Sequence, residues 1–217
     1  RENTTLDFTE QTLINEYGNN LGTYETQYSS ISYSAAVQYS SKIKKIPFKV
    51  SSGISRKEVV QEFPPTTEDE NLLKSENIFY DFGILTSIPL KYKFNNNYHI
   101  NINPAFGYSI SNIGDSISVI DLSQADPSPR LARTGISLTT KLNYGGVNLC
   151  EIKGGLAASD ILVKPRTAEN DAIRYQSGFG NINFIKNILL SKSSSKVEIS
   201  RGLELTIFDI FSFRYGR

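Results

Sequence analysis

The chain has 217 residues, with 23 basic and 22 acidic side chains, and this balance gives no reason to expect a nucleic-acid partner. Its mean hydropathy of -0.29 and the lack of any apolar stretch of about 20 residues exclude a bundle of membrane-spanning helices. A membrane β-barrel is not excluded, because only alternate residues of its strands are apolar. The single cysteine, Cys150, excludes an intrachain disulfide.

The first 27 residues are polar and show no strong repeat. They predict an irregular lead-in segment, 1–27, in which Thr9–Tyr17 is compatible with a short helix before a run rich in Gly and Asn. The sequence starts at Arg1 without a methionine and stops at Arg217 inside a strand pattern. We therefore expect a fragment of a longer protein, in which 1–217 belong to one β-barrel domain.

Long stretches of alternating side chains follow, and they predict strands with one apolar and one polar face. The clearest runs from Tyr98 to Ser111, where the parity of Ile100–Ile110 is apolar and the other parity is polar or small. Similar patterns predict strands at 28–41, 46–58, 78–94, 131–144, 147–158 and 197–207, and from 211 onward. Strands of soluble sheets have a mode of about 5–6 residues, whereas a tilted strand that crosses a bilayer needs about 9–11. The length of the pattern therefore favours a membrane barrel.

The connections alternate between short and long. The predicted short connections are 42–45, 95–97, 145–146 and 208–209, and the predicted long connections are 59–77, 112–130 and 159–196, the last with a short helix over Ile182–Leu190. In an up-and-down antiparallel sheet, alternate connections lie at the same end. The sequence therefore predicts tight turns at one end and long loops at the other, as in outer-membrane barrels.

Aromatic side chains on the apolar parity cluster beside the short turns. They are Tyr39, Phe48, Tyr92, Phe94, Tyr98 and Tyr144. Such a ring is typical of the aromatic girdle of a membrane barrel. We therefore predict an all-β, antiparallel, up-and-down transmembrane β-barrel, seen in part as about eight long strands whose apolar parity faces hydrocarbon. The alternative is a soluble all-β surface module with a Tyr-rich core.

Two sets of turn residues resemble a known family. The first is Ser111-Asn112-Ile113-Gly114 followed by Asp126-Pro127-Ser128-Pro129-Arg130 and Gly135, and the second is the late hairpin with Gly202, Glu204, Arg214 and Gly216. Both sets resemble the PorV-type branch of the FadL-like outer-membrane barrels. The predicted structural motif consists of Asn112, Gly114, Asp126, Pro127, Pro129, Arg130, Gly202, Glu204, Arg214 and Gly216. The resemblance covers roughly residues 28–217. The family's N-terminal hatch with Asn-Pro-Ala has no counterpart in this sequence.

The resemblance implies a place in the bacterial outer membrane and a role in type IX secretion, as a shuttle for secreted cargo. The implied partners are the lipid bilayer and cargo or secretion-complex subunits that meet the long external loops. The alternative within the family is transport of hydrophobic small molecules. For Asp126–Arg130, the two prolines favour a rigid passage from loop to strand over a binding contact, with Asp126 and Arg130 near enough to form an ion pair.

The sequence contains few features that indicate a catalytic, metal-binding or cofactor-binding site. His99 has no His or Cys partner for a zinc site, and Cys150 has neither a second cysteine nor a basic neighbour. The sequence has no phosphate-binding loop and no nucleophile motif. We therefore expect neither an enzyme nor a cofactor or metal site.

Overall fold

The computed structural model describes residues 2–14, 20–63, 73–95, 97–117, 125–164 and 173–217, with side chains from residue 27 onward except at 63 and 73. In this part of the chain, one antiparallel sheet contains ten strands. They are β1 (Glu2–Ile14), β2 (Asn20–Ile43), β3 (Ile46–Phe63), β4 (Leu73–Ser87), β5 (Leu90–Lys93), β6 (Tyr98–Gly114), β7 (Leu131–Tyr144), β8 (Val147–Ile161), β9 (Val197–Ile207) and β10 (Phe211–Gly216). One π-helical turn, Phe184–Leu189, lies in the connection between β8 and β9.

The strands follow one another across the sheet in chain order. β4 and β5 occupy the same place beside β6, so the path has nine positions from β1 to β10. The predicted all-β, antiparallel, up-and-down arrangement is therefore confirmed. Among the described residues β1 and β10 remain edges that do not pair with each other, so the sheet is open and not a closed barrel.

The strands are longer than the sequence pattern indicated. The predicted lead-in 1–27, with its short helix at Thr9–Tyr17, differs from the structure, where Glu2–Ile14 pairs with the first half of β2. β3 also continues to Phe63 and β4 begins at Leu73, inside the predicted connection 59–77. Backbone pairing with a neighbouring strand does not require apolar side chains, and hydrophobic alternation therefore misses the polar ends of long strands.

Two prolines explain why the predicted strand 78–94 is divided. β4 ends at Ser87 and β5 begins at Leu90, with Pro89 between them. Pro104 lies in β6 opposite this gap, between Ala105, which pairs with Ser87, and Ile102, which pairs with Leu90. Proline has no N–H to donate. The hydrogen-bond ladder is therefore interrupted where both strands carry a proline.

The connections that were predicted to be short lie at one end of the sheet. The β2–β3 turn has Lys44 and Lys45 at φ 48° and 72°, and the β7–β8 turn has Gly145 and Gly146 at φ 55° and 89°. Positive φ at both central residues is the type I′ geometry that suits two-residue hairpins. The strand ends that flank the long connections, such as Phe63 and Leu73 or Gly114 and Leu131, lie at the opposite end, and 64–72, 118–124 and 165–172 are outside the described residues.

The pairing register divides the side chains between two faces, because directly opposed residues share a face. One row runs Tyr39, Val50, Thr86, Phe106 and Ile136 through β2, β3, β4, β6 and β7. This row belongs to the apolar face. On the half of this face nearest the short turns, exposed side chains form the apolar band: Val37, Tyr39, Ile43, Ile46, Ile54, Ile88, Tyr92, Leu138, Tyr144, Ile152, Leu203, Phe211 and Phe213.

Part of the other half of the apolar face, on β6, β8 and β9, is covered by the chain itself, whereas Tyr33, Tyr80 and Phe82 on β2 and β4 stay exposed. Residues 177–192, the strap, lie over it, with the ring of Phe179 4.5 Å from that of Tyr108 and the ring of Phe184 5.9 Å from that of Phe106. Ile188 is fully buried against Ala158 and Val197 on β8 and β9. The expectation that the whole parity of Ile100–Ile110 faces hydrocarbon is therefore wrong at Phe106 and Tyr108, because a segment distant in sequence packs on them. The predicted short helix at Ile182–Leu190 is the π-helical turn in this strap.

Candidate functional site

The polar face of the sheet carries a groove of about 1060 Å³. Small residues form much of its floor, among them Ala36, Gly53, Gly83, Gly107 and Gly135. The register places Gly53 opposite Gly83 and Gly107 opposite Gly135. A Cβ at Gly135 would lie 3.2 Å from the Cα of Ala157, so the strands approach too closely there for a larger residue. Gly135 therefore serves close backbone approach, whereas at Gly53, Gly83 and Gly107 the atoms nearest to an added Cβ lie at 3.5, 3.8 and 3.5 Å, an ordinary contact distance.

A line of ion pairs, the charge ladder, crosses β7, β8, β9 and β10 beside this groove. Lys141 Nζ lies 3.1 Å from Glu151 Oε2, and Lys153 Nζ lies 3.6 Å from Glu151 Oε1. Lys153 also donates to Glu204 Oε1 at 2.9 Å, and Arg214 Nε donates to Glu204 Oε2 at 2.5 Å. Three cations and two carboxylates thus alternate across four strands.

Glu151 is the buried member of the charge ladder. Its side chain is 7% exposed, whereas the side chains of Lys141 and Lys153 are 43% and 48% exposed. A carboxylate removed from water is retained when it is paired and hydrogen-bonded, and the two ammonium groups provide this. The ladder therefore gives the groove a wall of alternating charges with one more cation than carboxylates, on the face opposite the apolar band.

A second polar cluster, the root cluster, joins the long connection after β6 to the sheet. Asn112 has φ 57°, a left-handed conformation that Asn tolerates better than most residues. Its backbone N donates to Asp81 Oδ1 at 2.8 Å, and its Oδ1 accepts from Lys57 Nζ at 2.6 Å. Lys57 and Asp81 pair at 3.0 Å, and Asn112 Nδ2 donates to Pro129 O at 3.0 Å. The two ends of the connection are thus tied to β3 and β4.

The Asp126–Arg130 segment contacts the root cluster directly at Pro129 and also binds Tyr175. Ser128, which is fully buried, donates from its backbone N to Tyr175 Oη at 2.8 Å. The guanidinium of Arg130 lies 3.9 Å from the centre of the Tyr175 ring. The predicted local ion pair between Asp126 and Arg130 is absent from the described residues, because Arg130 stacks on Tyr175 and donates to Gly114 O at 3.4 Å instead. Asp126 forms a backbone bridge with Ile117.

The predicted motif residues therefore separate into two places. Asn112, Gly114, Pro129 and Arg130 meet in the root cluster, whereas Glu204 and Arg214 belong to the charge ladder. Gly202 lies opposite Gly155 on one side and Gly216 on the other. The prolines 127 and 129 lie in the extended segment between these anchors and strand β7.

Several polar residues of these clusters were not singled out from the sequence. They are Lys57, Asp81, Lys141, Glu151, Lys153 and Tyr175. All but Tyr175 lie on the polar parity of a strand. The charges that recur on this parity are the feature of the sequence from which these residues could have been identified. Their mutual contacts could not be inferred, because the pairs join strands whose register only the fold defines.

The two residues considered for chemistry stay outside these clusters. His99 is half-buried on the polar face, opposite Lys93 and Asn143. Cys150 is half-buried on the apolar face, opposite Leu142 and Ile207. The acidic run Glu68–Glu70, which the sequence predicts to be a solvated loop tip rather than a site for a divalent cation, falls outside the described residues. Among those that are described, no group of three His, Cys, Asp or Glu side chains is placed to hold a metal ion.

Comparison with known protein families and with curated proteins finds no match to this chain. The resemblance to the PorV-type branch thus depends on its motif residues alone. Within the described residues, no helix has the length and apolar composition needed to cross a membrane.

Proposed function

We propose that this chain is part of an outer-membrane β-barrel, with the apolar band against lipid and the polar face, with its groove, toward the barrel interior. The distribution of charge between the two faces carries this proposal. On the apolar face, among the strand residues whose side chains are described, charged side chains occur only in the half nearest the long connections. They are Arg56, Glu58, Glu62, Lys74, Glu76, Asp160 and Arg201.

The opposite face carries charge in the half where the apolar band has none. Its charged residues there include Lys49, Lys91, Lys93, Lys141, Glu151, Lys153, Glu204 and Arg214. Such a sheet has one side suited to hydrocarbon and one suited to water, as in a membrane barrel with a polar lumen.

Exposed apolar area supports the same proposal. Val37 is 70% exposed and Tyr39 is 63% exposed, and the remaining members of the band share this exposure. Burying one such side chain contributes about 1.5–3 kcal/mol, and soluble monomers rarely expose contiguous apolar patches larger than a few hundred Å². A medium that covers the whole band at once is therefore favoured over water.

The motif residues suggest a role in type IX secretion. In this role, the long external loops of the proposed barrel contact the cargo. The root cluster supports such a role, because it holds both ends of the connection after β6 while residues 118–124 lie between them. Replacing 118–124 with a Gly-Ser segment of equal length keeps every root-cluster residue. Loss of cargo export with normal membrane insertion would support a function as a cargo shuttle. Unchanged export would show that this loop does not take part in cargo transfer. Transport of hydrophobic small molecules is the alternative use of the same barrel.

A soluble all-β surface module is the second candidate, and the strap favours it. Ile188 of the strap packs on Ala158 and Val197 of the apolar face and buries them, which is how a soluble sheet covers such a face with its own chain. In this case the apolar band would need a further protein layer.

Membrane extraction separates the two candidates. The full-length protein should remain with the membrane fraction after an alkaline wash and should enter solution only with detergent. A monodisperse protein in aqueous buffer without detergent would overturn the membrane proposal and favour the soluble module.

A further inference from the structure

The strap has an inward side that is anchored to the sheet by several independent contacts. Asn181 donates from its backbone N and from Nδ2 to Asp160 Oδ2, at 2.5 and 2.9 Å. Tyr108 Oη donates to the carbonyl oxygen of Gly178 at 2.9 Å. Asn187, which is almost fully buried, accepts from Asn183 N and donates to Lys192 O. These contacts fix which side chains of the strap face outward.

The outward side of the strap is apolar. Ile185, Leu189 and Leu190 are 63%, 61% and 58% exposed, although Ile188 beside them is fully buried. Packing on the sheet therefore does not account for the apolar character of these three exposed side chains, since a segment that only covers the sheet would expose polar residues. The strap lies at the border of the apolar band, so its outward residues extend the apolar surface of the band toward the long connections.

The charges within the strap and its flanking segments have one sign. From Ile173 to Lys196 the sequence contains no Asp or Glu, and its cations are Arg174, Lys186, Lys192 and Lys196. All four are exposed. Exposed aliphatic side chains beside lysines, without acidic residues, are the composition of segments that lie in the interface of an anionic bilayer.

We propose that the outward side of the strap inserts into the headgroup region of a bilayer with anionic lipids. This inference rests on the proposed membrane function and deepens it, because it places the upper border of the lipid contact at the strap. Ile185, Leu189 and Leu190 enter the boundary between headgroups and acyl chains, about 5–10 Å below the surface. Lys186 and Lys192 reach the phosphates above them.

Tryptophan fluorescence tests this placement. Residues 1–217 contain no Trp, so each single substitution introduces the one reporter in this chain, and any Trp elsewhere in the full-length protein is replaced by Phe. Leu189→Trp and Ile185→Trp report on the strap, Ile152→Trp reports on the apolar band, and Ser137→Trp on the polar face is the control. Each variant of the full-length protein is inserted into vesicles that contain anionic lipid brominated at a shallow or a deep acyl position.

The expected result is quenching of both strap reporters by the shallow bromine, quenching of Ile152→Trp by the deep bromine, and little quenching of Ser137→Trp. Quenching at Ile152→Trp without quenching at the strap would overturn the inference and leave the membrane function standing. No quenching at any position would overturn both.

The lysines supply a second measurement. In vesicles of neutral lipid, quenching of Leu189→Trp by the shallow bromine should fall by about twofold or more, because the attraction of the lysines to anionic headgroups is lost. Combining Leu189→Trp with K186Q and K192Q should give the same fall in anionic vesicles. Quenching that is insensitive to both changes would contradict the role of anionic lipid.

Discussion

Tyr98 and Tyr144 lie directly opposite each other in β6 and β7, with ring centroids 4.6 Å apart and ring planes inclined at 52°. The backbone N of Gly145 donates to Asn97 O at 3.0 Å just beyond this pair. The pair therefore closes the apolar face at the end with the short turns. Tyr39 and Phe48 form a similar edge-to-face pair at 6.2 Å on β2 and β3, so the aromatic rim predicted from the sequence includes real ring contacts.

The tyrosine pair should contribute coupling energy beyond the area that it buries. Tyr98→Ala, Tyr144→Ala and the double variant form a cycle, and the expected coupling is about 0.5–1.5 kcal/mol in the free energy of unfolding. Urea unfolding in vesicles of defined lipid measures it. A coupling near zero would show that the rings are neighbours without mutual stabilisation.

Leu138 and Ser137 are consecutive residues of β7 on opposite faces, and they test which face meets lipid. Leu138→Arg should lower the free energy of unfolding in a bilayer by about 2–4 kcal/mol, the cost of a cation near the midplane. Ser137→Arg is the matched control and should change it little, because this exposed residue lines the polar groove. Equal effects of the two variants would contradict the assignment of faces.

Glu151 should be the most sensitive member of the charge ladder. Glu151→Gln leaves Lys141 and Lys153 without their shared carboxylate, and we expect a lower urea midpoint. Glu198→Gln is the control, because Glu198 is exposed and has no ion pair among the described residues. Added salt should reduce the difference between wild type and Glu151→Gln, since screening weakens the intact pairs. A midpoint unchanged by Glu151→Gln would show that the ladder does not stabilise the sheet.

Two glycines of the family-like motifs should respond to alanine with opposite signs. A Cβ at Gly114 would collide with the carbonyl oxygen of Ile78 and lie 2.7 Å from Cδ1 of Phe79, so Gly114→Ala should destabilise the protein by about 1–3 kcal/mol. At Gly202 nothing lies within 4 Å, and Gly202→Ala should be neutral or stabilise by about 0.5–1 kcal/mol. Thermal or urea unfolding measures both, and destabilisation by Gly202→Ala would indicate an occupant of the groove at that point.

Tyr175 joins the Asp126–Arg130 segment to the sheet through its hydroxyl and its ring. Tyr175→Phe removes the partner of Ser128 N and should cost about 1–3 kcal/mol, because this donor is buried. Tyr175→Leu also removes the ring beneath Arg130 and should cost about 0.5–2 kcal/mol more. Equal losses for the two variants would show that the stacking of Arg130 adds no stability.

Much of the sheet could be predicted from local pattern, because side-chain alternation is a property of each strand by itself. The parity of Tyr98, Ile100 and Ile102 was visible in the sequence, and so were the turns at 44–45 and 145–146. The polar ends of the strands were not visible, since the backbone of Glu2–Ile14 pairs with β2 without an apolar repeat. The motif residues were identified, but their separation into the root cluster and the charge ladder was not.

The amino-acid sequence by itself determined the up-and-down order of the strands from β2 onward, the two chemically different faces and the end at which the predicted tight turns lie. Each of these follows from neighbours along the chain, through the twofold period of strands and the backbone angles that turns require. Only the tertiary structure decided that the strap covers Phe106 and Tyr108, that Glu151 is buried between two lysines, and that Arg130 stacks on Tyr175. These contacts join residues far apart in the sequence, and the free energy that selects them comes from packing and burial, which no local pattern contains.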